Sequence, residues 1–345
     1  MSAQASDDSR MFLEAAEASS VVRTQLAANA PGLRELGFRL RANPPRAVVT
    51  CARGSSDHAA TYARYLIEAH TQVLTSSAAP SVSSIYDSNT DMRGVLFIAI
   101  SQSGKSPDLL AATESARAGG ALCVALCNTD DSPLMQLVDV GVPLHAGAER
   151  SVAATKSYIA SLSCIVQLLA NWRDDAALSA ALHQLPDQLT RAWECDWQPA
   201  VDSLREAVNL FVVARGFGLG IAQEAALKLK ETCGLHAEAF SSAEVKHGPM
   251  ALVRAGFPLL MFSQADDTRA GLEELAAEFA ARGARVLLTG ATARGATALP
   301  SIAAHAVIEP ILQIQSFYRM ANALARARGL DPDRPPHLHK VTETV

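Results

Sequence analysis

The apolar positions of this chain fall into two alternating patterns. Short, almost uninterrupted apolar runs at 47–51, 95–100 and 121–127 predict buried strands. Between them apolar positions recur at helical spacing, predicting helices over 57–69 and 107–118, the second opened by Pro107, which suits a first helical turn. A helical stretch over 11–40 precedes the first strand. Strands that are apolar on both faces and alternate with helices predict a parallel sheet covered on both sides. After Glu149 come two helical patterns, over 151–172 and 175–193. The alternation then begins again, with strands over 209–214, 258–262, 285–289 and 304–308 and helices over 219–231 and 311–328. The stretch 235–249 reads as a loop, and a Pro-rich charged tail occupies 331–340.

Two echoes point to an internal duplication. Ala-Arg-Gly follows a strand at Ala52 and again at Ala214, and Ser-Gln follows a strand at Ser101 and again at Ser263, both at an offset of 162. The expected architecture is α/β, with two similar doubly wound parallel-sheet domains in tandem. The expected divisions are an N-terminal helical segment over 1–45, a first domain over 46–195, a second over 196–330, and the tail over 331–345.

Composition narrows the partners. With 49% hydrophobic and 19% charged residues among 345, a disordered chain is not expected. The formal charge is −5 and no long basic run occurs, so no nucleic-acid partner is expected. The first eight residues are polar and acidic, unlike a secretory signal. The apolar stretch 163–172 is broken by Gln167 and Asn171 and is too short to span a bilayer, so a cytoplasmic protein without a membrane partner is expected. Cys51, Cys123, Cys127, Cys164, Cys195 and Cys233 form no Cys-x-x-Cys pair, and no disulfide framework, metal or organic cofactor is expected.

The chemistry concentrates in two places. Open parallel sheets bind ligands at the carboxyl ends of their strands. The segments Arg53-Gly54-Ser55-Ser56 and Ser101-Gln102-Ser103-Gly104-Lys105-Ser106 sit there, each leading into a helix. Hydroxyls, glycine and a helix amino terminus suit an anion, above all a monophosphate. Serines also cap helices, but two such loops at adjacent strand ends favour phosphate. Gly216-Phe217-Gly218-Leu219-Gly220 is weak evidence for a dinucleotide. In the second half, Glu224, Lys228 and Glu231 share one face of a helix among Ala and Leu. The following stretch, with His236, Glu238, Glu244, Lys246 and His247, is dense in acid and base.

At these residues the chain resembles the sugar isomerase (SIS) domain superfamily, whose domains are flavodoxin-like. More narrowly it resembles the isomerase half of glutamine–fructose-6-phosphate aminotransferases. The strings that carry the resemblance are Ser101-Gln102-Ser103-Gly104, Val152-Ala153-Ala154-Thr155-Lys156, Glu224 to Glu231, His236-Ala237-Glu238, Glu244 to Pro249, and the tail from Asp331 to Lys340. Position 2 is Ser where the aminotransferase's glutaminase domain exposes a Cys, and the first strand starts near residue 47, so no glutaminase domain is expected. The variants Cys51 to Asp57 and Ser101 to Asp108 look more like stand-alone SIS-type glucosamine-6-phosphate deaminases.

The resemblance implies roles. Ser56, Ser101, Gln102, Ser103 and Ser106 match the positions that hold the substrate phosphate. Glu231 matches the carboxylate that moves a proton between C1 and C2, and an apolar, buried setting is expected for it. Lys228 matches a lysine near the sugar hydroxyls, and Glu224 another acid lining the site. Val152 and Ala153 match backbone positions close to the sugar. His247 matches the histidine that opens the ring from the neighbouring subunit, which implies a homodimer, and Lys340 a tail lysine able to form a Schiff base with the ketose. The expected function is deamination of glucosamine 6-phosphate to fructose 6-phosphate. The alternatives are an aminotransferase-like isomerase, a galactosamine-6-phosphate deaminase, an aldose–ketose isomerase or a deglycase. The alternative of another class is a module that only senses a sugar phosphate.

Overall fold

The computed structural model describes residues 9–86, 90–338 and 340; the expected opening segment over 1–8 and the tail's His339 and 341–345 lie outside the described residues. The chain starts with α1 (Arg10–Ala16) and α2 (Ala18–Ala42). The first sheet is built from β1 (Ala47–Cys51), α3 (Ser55–Thr71), β2 (Thr75–Ser77), α4 (Ser81–Ser84), β3 (Val95–Ser101), α5 (Pro107–Ala118), β4 (Leu122–Cys127), α6 (Pro133–Leu137) and β5 (Val140–Pro143). Three helices follow: α7 (Lys156–Arg173), α8 (Ala176–Trp193) and α9 (Gln198–Leu204). The second half holds β6 (Asn209–Ala214), α10 (Leu219–Cys233), β7 (His236–Ser241), β8 (Pro258–Phe262), α11 (Arg269–Ala281), β9 (Arg285–Thr289), β10 (Thr297–Leu299) and α12 (Glu309–Ala327).

The two sheets run β2-β1-β3-β4-β5 and β7-β6-β8-β9-β10, each of five strands and with all neighbours parallel. This is one strand order used twice, the flavodoxin-like order 2-1-3-4-5. The sequence echoes sit at equivalent places in it. Ala52 follows β1 as the last residue of β6 is Ala214, and Ser101 closes β3 as Ser263 follows β8. Every residue of β3 and β8 is buried, as expected of central strands covered on both faces.

The largest core cluster joins the halves. α7 is buried along almost its whole length and packs against α2, α3, α8 and α12. α3 of the first half lies against α10 of the second. They meet tightly at Gly220, where an added Cβ would stand 2.5 Å from the His58 carbonyl oxygen. Two buried tyrosines tie the seam: the Tyr158 hydroxyl donates to the Gly220 carbonyl at 3.1 Å, and that of Tyr62 to the Val307 carbonyl at 2.6 Å. Among the described residues, no helix is long and apolar enough to cross a membrane.

Three expectations are corrected. The run 304–308 forms no strand; β10 lies at Thr297–Leu299 instead. The His305 carbonyl accepts the Ile308 and Glu309 N–H groups, and the Glu309 carboxylate accepts that of Ala304, so this apolar run turns into the start of α12. The stretch 235–249 is not all loop: 236–241 forms β7, an edge strand in which buried Ala237 alternates with exposed His236 and Glu238. The helix expected from 151 starts at Lys156, because the Glu149 carboxylate accepts the Thr155 and Ser157 N–H groups and holds 151–155 outside it. Elements β2, α4, α6, β5, α9 and α11 were not foreseen.

Gly220→Ala is expected to push α3 and α10 apart and to cost about 2 kcal/mol, as overpacking of a tight contact does. A urea titration of the variant beside the parent measures it; an unchanged midpoint would show that the seam can open without cost.

Candidate functional site

At the carboxyl ends of β1 and β3 lies a cavity of about 350 Å³, closed on the far side by α10 and by the tail. On one wall the loop after β1 turns at Gly54, whose φ of +56° a side chain would strain, and enters α3 at Ser55 and Ser56. The loop after β3 turns at Gly104, φ +64°, where an added Cβ would stand 2.3 Å from Ser132 Oγ. The Ser101 hydroxyl accepts the Gly104 N–H at 2.9 Å and so shapes this turn from within. Ser106 occupies the position before α5, yet its side chain makes no capping bond and lines the cavity. Two helix amino ends and the hydroxyls of Ser56, Ser103 and Ser106 therefore converge on one space, the arrangement that binds a phosphate. Arg53 borders it and is held by buried Asp108 at 2.7 Å.

The opposite wall is α10. Glu224 is completely buried, and its carboxylate collects four donors: Ser55 Oγ at 3.1 Å, His58 Nδ1 at 2.9 Å, the Tyr318 hydroxyl at 3.2 Å and Lys228 Nζ at 3.5 Å. Burial opposes its charge, but Lys228 and the His58 and Ser55 contacts outweigh burial and hold the carboxyl below the usual range. Lys228 is equally buried. Burial disfavours its ammonium, and Glu224 and Glu231 more than restore it, so its proton is held above the ordinary lysine range. One helical turn on, Glu231 Oε2 meets Lys228 Nζ at 2.5 Å. Glu231 does not have the apolar, buried setting expected from sequence: its side chain is 17% exposed at the cavity wall, because the helix face that bears it opens on the ligand space.

The tail supplies the third side. Leu338 and Lys340 line the cavity, and Lys340 Nζ lies 3.3 Å from Glu149 Oε2. The structure thus brings Ser56, Ser101, Gln102, Ser103, Ser106, Val152, Lys228, Glu231 and Lys340 to one cavity. It does not bring Ala153, which is fully buried while Ala154 takes the wall, nor Glu224, which stands behind Lys228. His247 ends an exposed 3-10 turn (Glu244–His247) and lies off this wall of its own chain. His58, Tyr318 and Glu149 were missed, and Ser55 of the first loop turns its hydroxyl to Glu224. Ser55 and His58 share a face of α3 and had a signal in the motif that leads into that helix; Tyr318 and Glu149 are joined to the site only by the fold.

The SIS domain model matches residues 43–171 and 203–312. Among curated relatives, glutamine–fructose-6-phosphate aminotransferase (isomerizing) of Aeropyrum pernix is 33% identical over 312 residues, 85% of this chain and 50% of the relative. The same enzyme of Symbiobacterium thermophilum is 33% identical over 331 residues, 89% and 53%. The chain thus spans about half the length of the curated relatives it matches. Among solved structures, one from Silicibacter pomeroyi, provisionally named a phosphosugar isomerase, superposes with a TM-score of 0.91 at 43% identity over 94% of this chain and 100% of that one. A glucosamine-6-phosphate deaminase from Thermotoga maritima shares the fold, with a TM-score of 0.78 at 20% identity, covering 97% and 100%.

Glu224→Gln is expected to cost about 3 kcal/mol, since it leaves Lys228 buried with half of its compensation. The folded-state pKa of Glu224 lies below the unfolded one, so its contribution is present above about pH 4.3 and is lost as pH falls below that. The melting-temperature gap between parent and variant should therefore be widest near neutrality and narrow in acid. A gap that stays constant from pH 7 to pH 3 would show that the charge is not what stabilises the seam.

Proposed function

Because the chain belongs to the SIS domain family, in which it has phosphosugar-isomerase relatives, we propose that it is a glucosamine-6-phosphate deaminase. The observation that carries the reading is the pairing of walls: the hydroxyls of Ser56 and Ser106 with two helix amino ends on one side, and the Lys228–Glu231 pair on the other, lining one cavity of about 350 Å³. The amino-sugar part of the reading is supported by relatives whose names join fructose 6-phosphate to amino transfer.

In this reading the phosphate is held by Ser56, Ser101, Gln102, Ser103 and Ser106, with the partial positive charge of α3 and α5 behind them. The sugar lies along Val152 and Ala154 toward α10. His247 of a second copy opens the ring and frees the C1 aldehyde, which makes the working unit a homodimer. Glu231 then takes the C2 proton and returns it at C1, acting first as base and then as acid. The electron pair of the C2–H bond passes through the enolamine; the C1 oxygen gains a proton as the amine loses one, C1 becomes a hydroxymethyl group, and C2 becomes an imine. Lys228 keeps the negative charge of Glu231 and of the enolate oxygen compensated throughout. Water adds at C2 and ammonia leaves, giving fructose 6-phosphate; Lys340 can take the place of water as the first nucleophile.

The test is an assay of purified protein with glucosamine 6-phosphate, and with galactosamine 6-phosphate in parallel. Equal amounts of ammonia and fructose 6-phosphate from the first are the expected result. Ammonia from the second alone would change the substrate and keep the chemistry. No ammonia from either would sink the deaminase reading in favour of an aldose–ketose isomerase or a sensor. Glu231→Gln should lower kcat at least 100-fold, the lower end of what a positioned acid–base group contributes. KM should stay within about threefold, because the phosphate wall is untouched. Retained turnover in that variant would remove Glu231 from the proton transfer.

A further inference from the structure

The short helix α1 has no part in the phosphate wall or in the acid–base face, yet it touches both ends of the machinery. Its amino end is accounted for bond by bond. Ser9 Oγ accepts the Phe12 N–H at 3.1 Å and the Ser9 carbonyl that of Leu13 at 3.0 Å. The two remaining donors, the N–H groups of Arg10 and Met11, go to the carboxylate of Asp333 at 2.7 and 2.9 Å. Asp333 lies in the tail, more than 300 positions away in sequence and seven before Lys340. Pro332 and Pro335, on either side of it, are buried, so the tail is seated at this point and does not merely pass over the surface.

The other end of α1 faces the cavity loop. Buried Glu14 accepts the backbone N–H groups of Arg150 and Ser151 at 2.5 and 3.1 Å, and the Ser151 hydroxyl as well. Glu17, which follows α1, pairs with Lys156 at 2.6 Å; the lysine is almost fully buried in the first turn of α7. The segment held in this way, 149–156, carries Glu149, whose carboxylate meets Lys340, and Val152 and Ala154, which form cavity wall. A closed circuit results: Asp333 of the tail to α1, α1 through Glu14 to the 150–151 backbone, Glu149 to Lys340, and Lys340 back along the tail to Asp333.

We infer that Asp333 is a positioning residue for the reaction: it fastens the tail to α1 and thereby sets where Lys340 stands over the cavity. The inference rests on the reading of Lys340 as a group that meets the sugar. Asp333 itself touches neither the cavity nor its lining. The circuit also makes α1 and Glu14 part of the site's support, so the tail and the 150–151 loop move together.

The experiment pairs Asp333→Ala with Asp333→Asn in the full chain and reads two quantities. The first is the split between kcat and KM for ammonia release from glucosamine 6-phosphate. The second is backbone hydrogen exchange in peptides covering 10–16, 148–152 and 331–338, with 95–101 of the central strand as the folding control. Asp333→Ala should lower kcat about tenfold, a loss of the size that small misplacements of a reacting group bring. KM should stay within about twofold. Exchange should rise in all three linked peptides and stay unchanged in the control. Asp333→Asn keeps one acceptor and should fall between parent and Ala. Parental kcat in Asp333→Ala overturns the inference, as does a fall in kcat with exchange at 148–152 unchanged. Faster exchange in the control strand along with the rest also overturns it, since Asp333 would then serve global stability. If the parent itself releases no ammonia, the functional reading fails. The exchange arm still decides whether Asp333 couples the tail to the loop.

Discussion

The buried pair of Glu224 and Lys228 is the constraint from which the site follows. Two charges with almost no exposure are costly unless each is fully compensated. Compensation for Glu224 comes from two other elements: Ser55 and His58 on α3, and Tyr318 on α12. α3 belongs to the first half of the molecule and α10 to the second, so the cost of one carboxylate is met only when the halves are docked. The tight glycine contact at Gly220 serves the same end, because the short side chain of Ser55 and the ring of His58 reach Glu224 only if the helices lie close. The same docking brings the amino end of α3, which lines the cavity, opposite the face of α10 that carries Glu231.

The repeated strand order would put a ligand pocket at both switch points, yet the two points have diverged. In the first half the hydroxyls of Ser56 and Ser106 are left facing open space. In the second half the protein fills the equivalent place with its own groups. The Gln264 amide donates to the Arg215 carbonyl at 2.9 Å, to Asp266 at 2.9 Å and to Thr268 at 3.0 Å, and Glu309 accepts the Ala265 N–H at 2.6 Å. Carboxylates of the chain stand where the first half keeps room for an anion. The second half then contributes through its helix α10, on a wall of the first half's cavity. Duplication supplied two frames, and burial of the seam made one site from them.

Much of the framework was legible because the information is local. Central strands such as 209–214, 258–262 and 285–289 are apolar on both faces, and Pro107 marks its helix start, so their bounds match the structure. The edge strand over 236–241 looks like a loop in sequence because its alternation of His236, Ala237 and Glu238 resembles an active-site loop rich in charge. The run 304–308 misled in the opposite way, since buried Val307 and Ile308 are apolar for a helix seam and not for a sheet. In the cavity, the loops after β1 and β3 and the Glu224–Lys228–Glu231 stripe could be found from the sequence. Glu149, Tyr318 and Asp333 could not, because each meets its partner across a distance in sequence that only the folded chain closes.

The charges around the cavity explain why a tail lysine needs a fixed place. The α10 wall holds one cation between two carboxylates, and Glu149 adds a third carboxylate next to the opening. Without Lys340, three carboxylates would face one cation, and the helix amino ends would have to offset the excess alone for any anionic ligand. With Lys340 paired to Glu149 the excess falls to one negative charge, which the helix amino ends opposite can offset. A lysine on a free tail would pay the entropy of ordering each time it reached this position. Anchoring through Asp333 and α1 pays that cost once, in folding. Tail, first helix and cavity loop are in this sense a single support, built from residues that no local pattern joins.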